Sequence, residues 1–209
     1  MVDDYSHSLL DWFPNLTGDF NMTAIKDKVA LRQAIVTKAV SHLGDIEVPD
    51  FSNDGEPVRT FLRYVGINEP AAWCAAFACY VIGSCLTESG YQFGDSTLLR
   101  TASCVAIASH ARSNGTLVSA TDVSLGRYKL LPGDLMLMWE PGMNGYHHTG
   151  IIEAVYGDGS TSFTTVEGNT CAEGHTGNQR EGDRVARHHR SAQDPATDGH
   201  AKYAFVRTL

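Results

Sequence analysis

Cys74 opens the apolar run Trp73-Cys74-Ala75-Ala76-Phe77-Ala78-Cys79-Tyr80-Val81, and far downstream come His148-Thr149-Gly150-Ile151-Ile152 and then Glu167-Gly168-Asn169. A thiol, an imidazole and a carboxylate or amide, each on its own element, are what thiol-based hydrolysis of an amide requires. A free thiol is mostly protonated at neutral pH, but a helix N-terminus and a neighbouring imidazolium together lower its pKa enough to give a resting thiolate. Cys74 follows Pro70 closely, where its helix is expected to begin. His148 is the candidate general base and acid. Glu167 is the candidate acceptor for the other ring N–H, with Asn169 assisting. Trp73 reads as core or cleft wall beside the nucleophile, and His147 competes with His148 for the role of base. Neighbours on a strand face opposite ways, so only one of these rings can face Cys74.

The elements that must hold these groups are legible from periodicity. From Thr23, Ile25, Val29, Leu31, Ile35, Val36, Ala39, Val40 and Leu43 recur at helical spacing up to Gly44. Val58 to Val65 predicts a second helix. A third, apolar nearly all round and therefore central, is expected from near Pro70 to about Leu86, and a fourth from Thr101 to His110. The period then changes to that of strands at Leu135–Trp139, Thr149–Tyr156, Ser162–Glu167 and Tyr203–Thr208, with a turn at Gly157-Asp158-Gly159. N-terminal helices followed by a C-terminal antiparallel sheet make an α+β domain. Residues 1–22 read as an N-terminal arm, 23–209 as a single domain, and the polar stretch of about 171–200 as a long loop or insertion.

Bulk properties narrow the function classes. The chain has 209 residues, 43% of them apolar, and a formal net charge of −8, so it can bury a core and has no basic surface for nucleic acid. No apolar stretch approaches the roughly 20 residues of a membrane helix, and Met1-Val2-Asp3-Asp4-Tyr5 lacks the start of a signal peptide. Five cysteines, an odd number without a CxxC pair, argue against a disulfide framework and a zinc knuckle. Asp50-x-Ser52-x-Asp54-Gly55 imitates half a calcium loop, but Phe61 stands where the closing Glu belongs. His175, His188, His189 and His200 lack metal-ligand spacing and read as loop residues; Asp134 reads as a turn residue. The Asn15, Asn21 and Asn114 sequons carry little weight without a secretion signal. No metal or cofactor is expected.

Trp73-Cys74-Ala75-Ala76-Phe77, Leu131-Pro132-Gly133-Asp134-Leu135, His148-Thr149-Gly150-Ile151-Ile152 and Val166-Glu167-Gly168-Asn169 together resemble the CHAP group of the NlpC/P60-like cysteine peptidases and amidases, from about Thr23 to Leu209. The resemblance implies a papain-like fold. It also implies cleavage of peptidoglycan, either at the amide joining sugar to stem peptide or within the peptides. By motif, Cys74 is then the nucleophile, with its backbone N–H in an oxyanion hole. His148 is the base and acid, Glu167 the orienting acid, and Asn169 the residue that some members place beside that acid. A catalytically silent module binding wall peptides or a protein partner, and a cysteine protease acting on proteins, are the competing expectations. Action in the periplasm or cell wall after non-classical delivery, as an injected antibacterial effector or a phage lysin, is expected, and with it a cognate inhibitor protein that shields the producer.

Overall fold

A computed structural model describes residues 22–157, 161–174, 181–195 and 199–209. Its elements are α1 (Met22–Ser41), α2 (Val58–Tyr64), α3 (Cys74–Glu88), a 3₁₀ turn (Phe93–Asp95), α4 (Cys104–Ser113), β1 (Leu117–Ser119), α5 (Ala120–Ser124), β2 (Leu135–Glu140), β3 (Gly145–Tyr156), β4 (Ser162–Thr170), β5 (Arg184–Ser191) and β6 (Tyr203–Val206). The strands form one sheet in the order β1-β6-β2-β3-β4-β5, and every neighbouring pair is antiparallel. Helices in the N-terminal half and an antiparallel sheet in the C-terminal half make the α+β architecture that the change of period predicts.

α3 is the central helix because it is apolar on nearly every face. Ala75, Ala76, Ala78, Val81 and Ile82 are fully buried, and Leu31 and Ile35 of α1, Phe61 of α2, Leu135 and Leu137 of β2, Ile151 of β3 and Val166 of β4 share its core. Alternation along β2 sends Met136 and Met138 to the opposite face, into a second core with Ile152, Phe163, Phe205 and Val123 of α5. α3 ends where Gly90 takes a φ of +83°, with Ser89 and Tyr91 donating backward to Cys85 and Leu86 carbonyls.

Four features depart from the sequence expectation. α3 begins at Cys74 rather than near Pro70, so the thiol stands on the first helical residue. β3 begins at Gly145 rather than at the expected Thr149, so His148 lies inside the strand. β1 and α5 arise where no element was expected. The stretch of about 171–200, expected as a loop or insertion, contains edge strand β5, with Val185, Ala186 and His188 buried. Its polarity hid it: Arg184, Arg187 and Arg190 interrupt any apolar alternation, yet each is paired with a carboxylate. The expected arm lies outside the described residues up to residue 21, as do His175 and residues 158 and 159 of the predicted turn.

Asp134 is more than a turn residue. It is fully buried, holds Arg32 of α1 at 2.8 Å and Arg207 at 3.2 Å, and accepts the Leu131 N–H at 3.1 Å. It thereby ties α1 and the chain after β6 to the turn that enters β2. Asp54, in the broken calcium-like segment, is paired with Arg59 at 2.6 Å.

Candidate active site

The N-terminus of α3 is held by groups from two directions. Trp73 is its N-cap and supplies no side-chain cap. The Trp73 carbonyl accepts the Phe77 N–H at 2.8 Å, while its own N–H donates to Asn169 Oδ1 at 3.0 Å. The indole Nε1 donates to the buried Glu47 at 2.7 Å. Trp73 is fully buried, so it is a core anchor and not a wall of an open cleft. The Cys74 N–H belongs to the set of amides that a helix start leaves without an intrahelical partner.

Three small or amide residues let β3 and β4 come close enough. A Cβ on Gly150 would sit 2.5 Å from Glu167 Cγ, so only glycine leaves room for this carboxylate. A Cβ on Gly168 would sit 2.6 Å from the Trp73 ring and 2.8 Å from Phe77 Cβ, so β4 touches α3 through bare backbone. Asn169 follows at φ +55°, within a register shift of β4 against β5 between Glu167 and Thr170. This local bulge turns its amide to Trp73. Glu-Gly-Asn thus contributes a carboxylate, a gap and a tether.

His148 is fully buried and its Nε2 lies 2.8 Å from Glu167 Oε2. Glu167 is also buried. It receives Arg190 Nε at 3.0 Å and Nη2 at 2.8 Å, and Thr165 Oγ1 donates to it at 2.5 Å. Burial opposes ionisation of Glu167, but Arg190 and then His148 outweigh it and hold the carboxyl well below its ordinary range. His148 Nδ1 is buried with no aligned hydrogen bond among the described residues. Burial disfavours the imidazolium, yet Cys74 and Glu167 outweigh that cost and push His148 up to about 9.

Cys74 is held well below the ordinary thiol range, first by its contact with the Cys104 thiol, against burial, and then by His148. No aligned hydrogen bond joins Cys74 to His148 Nδ1 among the described residues, yet the two groups are near enough for each to stabilise the other's charge, and catalytic contacts commonly tighten only when substrate binds. Read outward, the cluster is thiolate, imidazolium, carboxylate and guanidinium. The charges alternate and sum to zero, which makes their joint burial tolerable.

Of the residues singled out from the sequence, Cys74, His148 and Glu167 are brought together. Asn169 is not behind the ring. Its amide bonds are to Trp73, to Asn53 at 3.3 Å and to the Gly182 carbonyl at 2.8 Å. His147 is the extra residue where the β2–β3 register shifts, and its carbonyl oxygen lies 4.0 Å from Cys74 Sγ.

The family model of the CHAP domain matches residues 66–169, a span that begins before α3 and ends on Asn169. These residues carry a CHAP domain. It is a cysteine peptidase or amidase domain of the peptidoglycan hydrolase superfamily, and its span contains Cys74, His148 and Glu167. No curated protein matches the sequence. A solved structure titled "The crystal structure of Ly7917" is similar, at a TM-score of 0.44 and 16% identity over 84% of this chain. The present chain spans 61% of that one.

Two residues that complete the CHAP cluster were not singled out from sequence. Arg190 lies on β5, beyond the matched span, and sequence alone does not say which of three nearby arginines neutralises Glu167. Cys104 is a lone cysteine at the start of α4, and no motif flags it.

Proposed function

We propose that this protein is a peptidoglycan hydrolase that cleaves an amide bond through Cys74, His148 and Glu167. The observation that carries this reading is a buried thiol on the first residue of α3, facing an imidazole whose far nitrogen is fixed by a carboxylate.

The chemistry follows from the arrangement. The Cys74 thiolate attacks the carbonyl carbon of the scissile amide, and the oxygen takes up charge against the Cys74 N–H at the open helix start. As the tetrahedral adduct collapses, His148 Nδ1–H protonates the leaving nitrogen, the C–N bond breaks and the amine departs. A thioester remains. Neutral His148 then takes a proton from water, the hydroxide attacks the thioester, and the proton returns to the pair as the carboxylic acid leaves. Glu167 accepts Nε2–H throughout and keeps the ring turned with Nδ1 toward sulfur. Arg190 and Thr165 keep Glu167 from turning away. The bond is either the amide between muramic acid and the stem peptide or one within the peptides. Action at the wall and the existence of an inhibitor protein depend on this substrate.

Purified sacculi incubated with wild type and with Cys74→Ala test the proposal. Wild type is expected to release new amino termini and the variant none. Equal release by both contradicts the assignment.

A further inference from the structure

A second thiol stands against the nucleophile. Cys104 Sγ is 3.7 Å from Cys74 Sγ, both side chains are buried, and both are reduced. Cys104 is the first residue of α4, as Cys74 is of α3. Two helix N-termini therefore converge on one pair of sulfurs, and their partial positive charges favour a single anion there. The segment before α4 is fixed so that this meeting occurs. The Cys79 thiol donates to the Leu99 and Thr101 carbonyls at 3.5 and 3.4 Å, Thr101 Oγ1 accepts the Ser103 N–H at 3.1 Å, and Ser103 Oγ caps α4 by accepting the Ala106 N–H at 3.2 Å.

Which sulfur carries the charge is settled by the neighbours. His148 of β3 faces Cys74, with Glu167 of β4 and Arg190 of β5 behind it; the titratable groups acting on Cys104 are Cys74 and Cys79 of α3. The imidazolium selects Cys74 for the anion, so Cys104 keeps its proton and has an acceptor within reach.

We propose that Cys104 is a positioning residue for the reaction: its S–H donates to the Cys74 thiolate, holds the nucleophile ionised, and fixes the direction of its lone pairs. This rests on Cys74 being the nucleophile. A thiol is a weak donor, which suits the task. It stabilises the resting anion yet yields when sulfur bonds to carbon. The hydrogen bond to Cys74 and then burial hold Cys104 well above the ordinary thiol range, in keeping with the donor role.

The test is the pH dependence of Cys74 alkylation by iodoacetamide, followed by peptide mass spectrometry in the full chain. Wild type is compared with Cys104→Ala, which removes the donor, and Cys104→Ser, which restores one. Losing one hydrogen bond to a charged group is worth about tenfold in ionisation. Cys104→Ala is therefore expected to label Cys74 about tenfold more slowly on the acidic limb of the profile, where the thiolate is the minor form in both proteins, and within about twofold of wild type on the alkaline plateau. Cys104→Ser is expected to recover most of the acidic rate. Should the alanine variant not fold, Cys104→Val fills the volume without a donor and is expected to behave the same way. Superimposable profiles for wild type and the alanine or valine variant overturn the proposal, as does an equal change in the serine variant. Failure of the underlying nucleophile reading looks different: Cys74→Ala would then still hydrolyse sacculi, whatever the Cys104 variants do.

Discussion

Gly150→Ala puts one methyl group between the strand and the carboxylate that orients the base. The new carbon would lie 2.5 Å from Glu167 Cγ, 3.3 Å from its Cδ and 3.2 Å from Thr165 Cβ. Ordinary carbon contacts are about 3.5–4.0 Å, so Glu167 must retreat by about 1 Å. It cannot do so freely, because Arg190 at 2.8 Å, Thr165 at 2.5 Å and His148 at 2.8 Å hold the carboxylate on three sides. A retreat of that size lengthens the His148 contact beyond hydrogen-bond range. Overpacking of this kind costs about 1–3 kcal/mol of stability, while a misplacement of about 1 Å in a catalytic group costs about 100-fold in rate. The variant is therefore expected to fold, with a modestly lower urea midpoint, and to release amino termini from sacculi about 100-fold more slowly per folded molecule. Activity within about twofold of wild type in a folded variant would refute the claim that Glu167 must be fixed where it is.

Three further outcomes follow from the same geometry. Arg190→Met leaves a buried carboxylate with the imidazolium as its remaining ionic partner, and urea unfolding is expected to show a loss of about 3–5 kcal/mol; a loss below about 1 kcal/mol means that the guanidinium does not balance Glu167. Asn169→Ala strands the Trp73 N–H at the start of α3 and is expected to cost about 1–3 kcal/mol in the same assay and to slow hydrolysis; wild-type stability and rate together would remove its tethering role. The hydrolysis rate is expected to fall as pH rises through about 9, where His148 loses its proton, and to fall again in acid as Cys74 is protonated. Stability moves the same way through His148. Its contribution is fully present below the ordinary 6.5 and is lost as pH rises through about 9, so urea midpoints of wild type measured across that window should decline.

The three chemical groups were legible because each sits in a short block with strong local character: an apolar helix start, a strand with glycine two residues after its histidine, and an acid followed by glycine. The structure gives those glycines their physical reason, since Gly150 makes room for Glu167 and Gly168 lets β4 touch Trp73 and Phe77. The long helices and the strands rich in apolar residues were legible for the same reason. Strand β5 was not, because a strand studded with carboxylate-paired arginines has no apolar alternation to read. Asn169 was placed near the right residues but with the wrong partner, because a bulge changes which way a side chain points and no pattern announces one. Arg190 and Cys104 act through contacts that exist only after folding, one across the sheet edge and one between two helix ends.

The central claim is that His148 holds Cys74 as a thiolate. Its most direct test is the rate at which iodoacetamide alkylates Cys74 at neutral pH in wild type, His147→Ala and His148→Ala. Fast labelling is expected in wild type and in His147→Ala, whose backbone carbonyl remains beside the sulfur, with labelling slowed more than about tenfold in His148→Ala. Labelling of His148→Ala at the wild-type rate would contradict the account.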